Sequence, residues 1–256
     1  MSAAPGVLRL ARRSVMNTIR QPQMWVPSML FPLMITAINV AAMNRATRLP
    51  GFPADSFLDF AVATVVIQGV LFGASAGGSD MAVDIQGGFF DRLVASPIPR
   101  SAIVLGRLAG AACLGALQAV VFMTVLTAFG AHIEGGIGAV VTIVVVAMLL
   151  AVGIGGIAVA IALKTGSAEV VQASFPVFFI SLFASSAFFP RQLMSGWFKA
   201  VAGVNPLSYM IEAVRSLILF GFDAGEALRA VAIVGALCVG ALALSLSALR
   251  GRLAMS

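Results

Sequence analysis

The residues that most often carry catalysis or bind metals are few and scattered in this sequence. It has one histidine, His132, and two cysteines, Cys113 and Cys238, which both fall inside apolar runs. A transition-metal site needs several such ligands close together, and isolated thiols in apolar runs are usually small core residues. The sequence therefore indicates neither a metal site nor a hydrolytic centre built on histidine.

Lys164-Thr165-Gly166-Ser167 matches part of a catalytic motif, the Lys-Thr-Gly triplet of penicillin-binding enzymes. The Ser-x-x-Lys and Ser-Asp-Asn elements that act with that triplet are missing from the sequence. A P-loop would need a glycine before the lysine, and Leu163 stands there instead. We therefore predict a tight turn at this stretch, with no ATP hydrolysis by that route.

Charged side chains gather in one part of the first half of the chain, which is otherwise apolar. The charged residues in or next to the stretch 89–107 are Asp84, Asp91, Arg92, Arg100 and Arg107. Charges at helical spacing on an apolar background form an amphipathic segment, which lies along a membrane surface or docks into a partner's groove. The residues alone leave open whether this stretch is a docking surface or a solvated loop.

The composition is that of an integral membrane protein. Of the 256 residues, 60% are hydrophobic and only 10% are charged, and the mean hydropathy is +1.04. A soluble domain carries roughly a quarter of its residues as charges. The net charge of +6 comes from basic residues that lie mostly at the ends of apolar runs, which indicates membrane orientation and not nucleic-acid binding.

These runs predict an all-α membrane protein that forms a single transmembrane domain over residues 1–256. A span needs about 20 apolar residues. The six predicted spans cover residues 24–43, 57–78, 102–129, 137–163, 168–189 and 228–249. A basic amphipathic helix around residues 7–13 is expected at the interface. Two apolar pieces, 193–204 and 207–220, are each too short to span and predict a re-entrant or interfacial helical pair.

The basic residues give the orientation. Ten of them fall on the side of the N-terminus: Arg9, Arg12, Arg13, Arg20, Arg92, Arg100, Arg107, Lys164, Arg250 and Arg252. Six fall on the other side: Arg45, Arg48, Arg191, Lys199, Arg215 and Arg229. The excess predicts that both termini are cytoplasmic, so the stretch around Asp91 is cytosolic and the helical pair faces outward.

The interiors of the first four predicted spans carry no charge, which argues against a proton pump with its own relay. Their strongly polar side chains are Asn39, Gln68 and Gln118, read as interhelical hydrogen bonds or as a path lining. The pairs Gly73-x-x-x-Gly77 and Gly106-x-x-x-Gly110 predict close helix approach. An apolar cleft driven from outside the chain, with an amphiphilic cargo, fits these spans best.

Two separate stretches resemble the ABC-2-type exporter permeases, most closely the daunorubicin-resistance type of drug and lipid exporters. The first is Phe90-Asp91-Arg92-Leu93-Val94-Ala95-Ser96-Pro97-Ile98-Pro99-Arg100. The second runs through Phe189-Pro190 to Asn205-Pro206-Leu207-Ser208-Tyr209, Glu212-Ala213 and Arg215. Residues 191–195 depart from the family, which often has Leu-Pro there. The resemblance covers essentially the whole chain.

The resemblance implies a non-catalytic permease subunit with a cytosolic coupling helix between spans 2 and 3. It implies pairing with two copies of a separate cytosolic ABC ATPase, which hold ATP and Mg, and with a second permease copy or a sister permease. This chain would bind no cofactor. The implied membrane is the bacterial plasma membrane, and the implied cargo is a drug, a polyketide or a complex lipid. The alternatives are export of a polysaccharide or glycolipid, and an ATP-independent channel or secondary transporter.

Three groups of residues are expected to carry the function. The ATPase-coupling group is Asp91, Arg92, Leu93, Pro97, Arg100, Arg9, Arg12 and Arg13. The substrate path would include Asn39, Gln68, Gly73 and Gly77. The outer re-entrant hairpin would contain Phe189, Pro190, Asn205, Pro206, Tyr209, Glu212 and Arg215. Within it, Glu212 and Arg215 are three residues apart on a helix and are expected to pair.

Overall fold

The computed structural model describes residues 4–74, 76–96 and 99–255, and the regular structure in these ranges is all-helical. The α-helices are α1 (Ala4–Arg20), α2 (Pro22–Met43), α3 (Phe57–Ala74), α4 (Ala76–Gln86), α5 (Phe89–Ala95), α6 (Arg100–Ala128), α7 (Gly136–Thr165), α8 (Ala168–Ala173), α9 (Phe175–Phe183), α10 (Gly196–Val204), α11 (Pro206–Leu219) and α12 (Ala224–Met255). Two short 3-10 helices cover Asn44–Arg48 and Arg191–Leu193. This agrees with the predicted all-α class.

Five segments in the described part of the chain are long and apolar enough to cross a membrane: Trp25–Arg48, Phe57–Gln86, Arg100–Ala128, Gly136–Thr165 and Ala224–Ala254. They correspond to predicted spans 1, 2, 3, 4 and 6. The second is longer than predicted, because helical structure reaches Gln86 and does not stop at Gly78. Asp80 and Asp84 therefore belong to this segment and not to the loop that follows it.

The predicted fifth span, 168–189, is not a single helix. It consists of α8 and α9, and the apolar segment ends at Phe183. Pro176 at the start of α9 has no N–H to continue the hydrogen bonds of α8, so the helix breaks at Ser174. Sixteen residues rise only about 24 Å, less than the hydrocarbon core of about 30 Å. Six spans are therefore not confirmed.

The bundle is organised around α7, which packs against α3, α4, α6, α11 and α12. Small residues allow these helices to approach closely. Such residues are common between membrane helices, because in lipid the helices associate by close packing and not by the hydrophobic effect. A Cβ atom on Gly78 would lie 2.5 Å from Ala158 Cβ, and one on Gly156 would lie 3.1 Å from Ala241 Cβ. On the far side of α3, Gly69 makes room for the buried ring of Phe122.

Polar side chains join neighbouring elements at each end of the bundle. At one end, Gln86 Nε2 donates to the Gly166 carbonyl at 3.0 Å and Arg252 Nη1 donates to the Leu163 carbonyl at 3.0 Å. At the other end, the His132 amide donates to Asp59 Oδ1 at 2.8 Å. We call these the α1 end, where α1 and α5 also lie, and the hairpin end, where α10 and α11 lie.

The predicted turn at 164–167 is confirmed. Gly166 ends α7 in the left-handed region, at φ +66°, where glycine carries no steric penalty. Ser167 Oγ then accepts a hydrogen bond from the Val170 amide at 3.2 Å and caps α8. The lysine and threonine of the triplet are thus the last two residues of α7, next to the turn that joins it to α8.

Candidate functional site

A cluster of charges joins α4 to α6 at the α1 end. Asp80 and Asp84 are four residues apart and therefore share one face of α4. Arg107 of α6 meets both: its Nη1 lies 3.1 Å from Asp80 Oδ2, and its Nη2 donates to Asp84. The Arg107 side chain is only 9% exposed. A guanidinium shared by two carboxylates fixes the two helices relative to each other.

The N-terminal helix α1 closes this cluster. Arg13 Nη2 lies 3.6 Å from Asp84 Oδ1, and Asn17 Nδ2 donates to Asp80 Oδ2 at 3.2 Å. These two side chains are four residues apart and so point to the same side of α1. The resulting junction cluster, Arg13, Asn17, Asp80, Asp84 and Arg107, ties three helices together through two cations and two anions.

The Gly106-x-x-x-Gly110 pair provides the surface on which α1 lies. A Cβ atom on Gly106 would lie 2.5 Å from Leu10 Cβ, and one on Gly110 would overlap Ser14 Oγ. Ser14 Oγ donates to the Arg107 carbonyl at 3.1 Å. The close approach predicted from the glycine spacing is confirmed, and the helix that uses it is the N-terminal amphipathic one.

We expect Gly110→Leu to displace α1 from α6, because the added side chain overlaps the α1 backbone region. Overpacking of this kind costs about 1–3 kcal/mol, which should raise the rate of tryptic cleavage after Arg13 roughly tenfold or more. Gly240→Leu on α12 is the matched control, since a Cβ there meets nothing within 4 Å. Equal cleavage rates in the two variants would contradict this packing of α1.

The short helix α5 packs next to the junction cluster through the buried ring of Phe90. Phe90 is 2% exposed, whereas Asp91 and Arg92 are exposed to solvent. The Phe89 ring lies between two cations, 4.1 Å from the Arg13 guanidinium carbon and 5.4 Å from that of Arg92. Arg13 therefore contacts both α5 and Asp84, and it links the exposed charges of α5 to the buried ion pair.

The predicted coupling residues fall into different places. Arg13, Asp91 and Arg92 come together as described, and Leu93 lines a small cavity beside Arg13 and Asp84. Arg12 is exposed on the outer face of α1 and lines a shallow cleft with Arg13 and Arg20. Pro97 and the side chain of Arg9 lie outside the described part of the chain.

Two charged residues lie elsewhere than the sequence predicted. Asp84 does not lie on the short helix with Asp91. It lies on α4 and forms an ion pair with Arg107. Arg100 begins α6 and lines a separate cleft with Arg250 of α12. The ion pairs that Arg107 forms with Asp80 and Asp84 were not predicted from the sequence. The spacing of the two aspartates indicates a shared helix face, but only when the helix is known to extend to Gln86.

The residues suggested for a substrate path make different local contacts. Asn39 Nδ2 donates to the Ile35 carbonyl of its own helix at 2.9 Å, so it makes no interhelical bond there. Gly73 faces the Gln118 amide, and a Cβ atom on this glycine would lie 2.8 Å from Gln118 Nε2. Gly77 is half-buried near Arg107. Their role in a path stays a prediction.

The two buried glutamines behave differently. Gln118 Nε2 donates to Ser28 Oγ at 2.9 Å and to the Gly69 carbonyl at 3.0 Å, which confirms an interhelical bond between α6, α2 and α3. Gln68 is fully buried, and its amide nitrogen and oxygen find no hydrogen-bond partner among the described residues. An unpaired amide within a span costs free energy. Helix packing therefore does not explain why a glutamine stands at position 68 of α3.

At the hairpin end, Arg215 organises the region between α3, α11 and the chain after α9. It is 5% exposed. Its donors reach three carbonyl oxygens, those of Phe60 at 3.2 Å, Ser186 at 3.0 Å and Ala187 at 2.9 Å. A fourth bond goes to Thr64 Oγ1 at 3.1 Å, and the guanidinium stacks on the Phe60 ring at 3.6 Å. Arg215 thus joins the non-helical backbone at Ser186 and Ala187 to helix α3, and it supplies a donor to the Ser186 carbonyl.

The expected Glu212–Arg215 pair is wrong. Glu212 Oε2 accepts from Arg191 Nη2 at 2.7 Å, and Arg191 also lies over the Tyr209 ring at 4.7 Å. The carbonyl oxygens around Arg215 compete successfully because they surround it on three sides, whereas Glu212 points toward the 3-10 turn that carries Arg191. The residues 191–195, where the chain departs from the family pattern, therefore supply the ion-pair partner of α11.

Asn205 and Pro206 form the bend between α10 and α11, as predicted. Asn205 Oδ1 accepts from the Leu207 amide at 2.9 Å, the bond of a helix N-cap. Its Nδ2 donates to the Ser181 carbonyl at 2.6 Å, which fastens the bend to α9. Of the other two predicted hairpin residues, Pro190 is buried and Phe189 is 46% exposed.

The sequence also contains Gly73-Ala74-Ser75-Ala76-Gly77, which has the spacing of a nucleophile elbow. That motif needs a strand-to-helix turn, whereas Gly73 and Gly77 lie in helices, and Ser75 itself is outside the described residues. His132 contacts Asp59 at the other end of α3, 14 residues and about 21 Å of helix from Gly73. The glycines therefore serve helix packing, and the histidine of the chain lies far from this segment.

Comparison with known proteins agrees with this architecture. The family model of the ABC-2 type transporter matches residues 6–219. The chain is 29% identical over 192 residues to the daunorubicin resistance ABC transporter permease protein DrrB1 of Streptomyces coeruleorubidus, covering 74% of this chain and 65% of the relative. It is 24% identical over 204 residues to a protein described as transport permease ycf38 of Porphyra purpurea, covering 79% and 66%. The chain thus spans slightly less than two thirds of the length of these relatives.

Proposed function

Since the chain belongs to the ABC-2 type transporter family and is a membrane transport permease, we propose that it is the non-catalytic transmembrane subunit of an ATP-driven exporter. It would act as a dimer with a second copy or a sister permease. Two copies of a separate cytosolic ABC ATPase would hold ATP and Mg and supply the work. The observation that carries this proposal is Arg13, which contacts both the exposed helix α5 and the buried ion pair between α4 and α6.

Force applied to α5 has a short route into the membrane helices. The exposed Asp91 and Arg92 would meet the ATPase, together with Arg12 on the neighbouring face of α1. A displacement of α5 moves the Phe89 ring against Arg13, and Arg13 is held to Asp84. Because Arg107 clamps Asp80 and Asp84, α4 and α6 would tilt as one unit. The exposed Arg100, at the beginning of α6, stays a proposed part of this surface.

The cargo is proposed to be hydrophobic or amphiphilic. The interiors of the first four predicted spans carry no charge in the sequence, and a charged or strongly polar solute would need compensating groups there. The relative DrrB1 is named for daunorubicin resistance, which is consistent with a drug, a polyketide or a complex lipid. A polysaccharide or glycolipid is the second candidate, since a lipid-linked glycan also presents an apolar part to the bilayer.

We propose that both termini are cytoplasmic and that α8 and α9, with the turn after Phe183, cross the bilayer as a sixth span. Two features support this. The α1 end carries most of the basic residues, and the irregular chain around Ser186 is shielded by Arg215 and Ser208, as non-helical backbone at membrane depth must be. The bacterial plasma membrane is the proposed location.

The orientation predicts the sidedness of labelling. A Ser96→Cys variant, with Cys113 and Cys238 replaced by alanine, should react with a membrane-impermeant maleimide in inside-out vesicles and not in intact cells. Trp197→Cys on α10, whose native side chain is 77% exposed, is the control and should react in intact cells. Labelling of the cysteine at position 96 from outside intact cells would place α5 on the wrong side and end the proposal.

Flux measurements separate the transport alternatives. Proteoliposomes that contain the permease alone should not move cargo down or up a gradient, and addition of the ATPase with ATP should start transport. Flux that persists without ATP or partner would favour a channel or secondary transporter instead.

A further inference from the structure

A second basic site lies at the α1 end, between the beginning of α6 and the end of α12. These two helices both pack along α7 but touch each other little, which leaves a cleft of about 510 Å³ between them. Its mouth carries Arg100, Ser101 and Arg250, and its walls are Leu246, Leu249 and Leu253. This volume is within the range of small-molecule sites, about 300–1,000 Å³.

The two arginines at the mouth are exposed and have no ionic partner among the described residues. Arg252, two residues further along α12, is different, because it donates to the Leu163 carbonyl and lies over the Phe90 ring. Arg252 therefore has a structural role, whereas Arg100 and Arg250 come from two helices and converge on open space.

The first turn of α6 adds to this positive field. No side chain of the described residues caps α6, whose N-cap position is Pro99, and Arg100 and Ser101 form its first turn. A long helix carries a partial positive charge at its N-terminus. Two guanidinium groups, a hydroxyl and an uncapped helix end make a strongly anion-attracting mouth.

From Leu246, which lines the cleft, an apolar stripe extends along α12 away from the mouth. Val239, Ala243, Leu246 and Arg250 follow one another at helical spacing, and Val239 is 68% exposed. This stripe is about 16 Å long and leads from the arginine toward the middle of the span. A soluble anion would use only the mouth, whereas a lipid would also use the stripe.

We propose that this cleft binds an anionic phospholipid of the leaflet at the α1 end, with the headgroup phosphate between Arg100 and Arg250 and an acyl chain along the α12 stripe. The charge complementarity of the mouth and the continuity of the stripe with the lipid-facing surface select this occupant. The site is separate from the junction cluster and does not depend on the proposed ATPase partner. Basic clefts between helices at the cytoplasmic interface are suited to such headgroups.

The test is the retention of phosphatidylglycerol by the purified full-length chain, measured by native mass spectrometry after exchange into a phosphatidylcholine nanodisc. Replacement of Arg100 and Arg250 by glutamine should lower retention about fivefold per arginine, the contribution of one basic residue near an anionic surface. Arg45→Gln with Arg48→Gln removes the same charge from exposed positions at the other end and should change retention less than twofold. Equal retention in the two double variants would overturn the proposal.

Two further variants separate the lipid from a soluble anion and from misfolding. Leu246→Trp fills the apolar part of the cleft and keeps both arginines, so it should also lower retention. Arg100→Lys with Arg250→Lys keeps the charge and should retain phosphatidylglycerol within about threefold of wild type. Displacement of the bound lipid by millimolar glycerol 3-phosphate, or no effect of Leu246→Trp, would assign the site to a soluble anion and overturn the lipid assignment.

Discussion

Replacement of Arg107 by methionine is expected to lower the free energy of unfolding by about 3 kcal/mol, at the lower end of the range for a broken buried ion pair. The variant leaves Asp80 and Asp84 facing an apolar side chain. Arg13 remains 3.6 Å from Asp84 but is half-exposed, so it replaces only part of the lost interaction. The midpoint of thermal unfolding in detergent should fall by about 5–10 °C.

Two further variants identify the cause of that loss. Asp80→Asn and Asp84→Asn, added to Arg107→Met, remove the two negative charges and should restore most of the stability, because the cost comes from partly buried carboxylates that lose their shared cation. Arg92→Met on the exposed face of α5 loses the same chemical group and should change stability by less than about 0.5 kcal/mol. A wild-type melting temperature for Arg107→Met would show that the junction cluster does not hold the helices together.

Arg215→Met is expected to loosen the hairpin end, with a loss of about 1–3 kcal/mol, the cost of leaving a buried acceptor without its donor. The substitution removes four hydrogen bonds and takes from the buried Ser186 carbonyl the donor that it has in Arg215. A cysteine at Ala202, a fully buried position on α10, should then become reactive to a membrane-impermeant maleimide at least tenfold faster. The measurement is the labelling rate in intact cells, in the background without native cysteines.

The matched control for Arg215 is Arg229→Met. Arg229 is at the same end of the bundle, where it forms an exposed pair with Glu226 at 3.3 Å and lies 5.7 Å from the centre of the Tyr209 ring. Exposed ion pairs contribute less than about 1 kcal/mol. Arg215→Lys should recover only part of the loss, because an ammonium group cannot reproduce the planar fork that meets three backbone acceptors. If Arg215→Met and Arg229→Met gave the same labelling rate, the role given to Arg215 would be refuted.

The membrane class, the family and most of the helices were predictable from the sequence. Apolar run length predicted five of the long segments, and the family resemblance based on the stretches around Asp91 and Asn205 is confirmed by the family match over residues 6–219. These features depend on local composition and on spacing within one helix, which a sequence displays directly. The six-span count is not confirmed in the same way, because Pro176 and the serines after Phe183 divide the fifth apolar run.

The contacts between distant helices could not be predicted in the same way. A second span predicted to end at Gly78 placed Asp84 in a loop and hid its pairing with Arg107, 23 residues away. The predicted pairing of Arg215 with Glu212 considered only neighbours on the same helix, whereas the true partners are backbone atoms near residues 60 and 187. Which acceptor a buried arginine finds depends on tertiary packing.

The glycine pairs show an intermediate case. The spacing of Gly106 and Gly110 predicted a close helix approach, and that approach exists, but the spacing does not say which helix makes it. The partner is α1, which the sequence had placed only at the membrane surface. A sequence shows that small residues form a groove on a helix, but it does not show which other helix packs into that groove.

The central claim is that a separate ATPase acts on this permease at α5. The most direct test is to place a photo-reactive benzoylphenylalanine at Arg92 in the native membrane and to illuminate, with the same substitution at the exposed Arg48 as the comparison. We expect a covalent adduct between the permease and an ABC ATPase from position 92 and none from position 48. No adduct from position 92, or an equal yield from both positions, would contradict the claim.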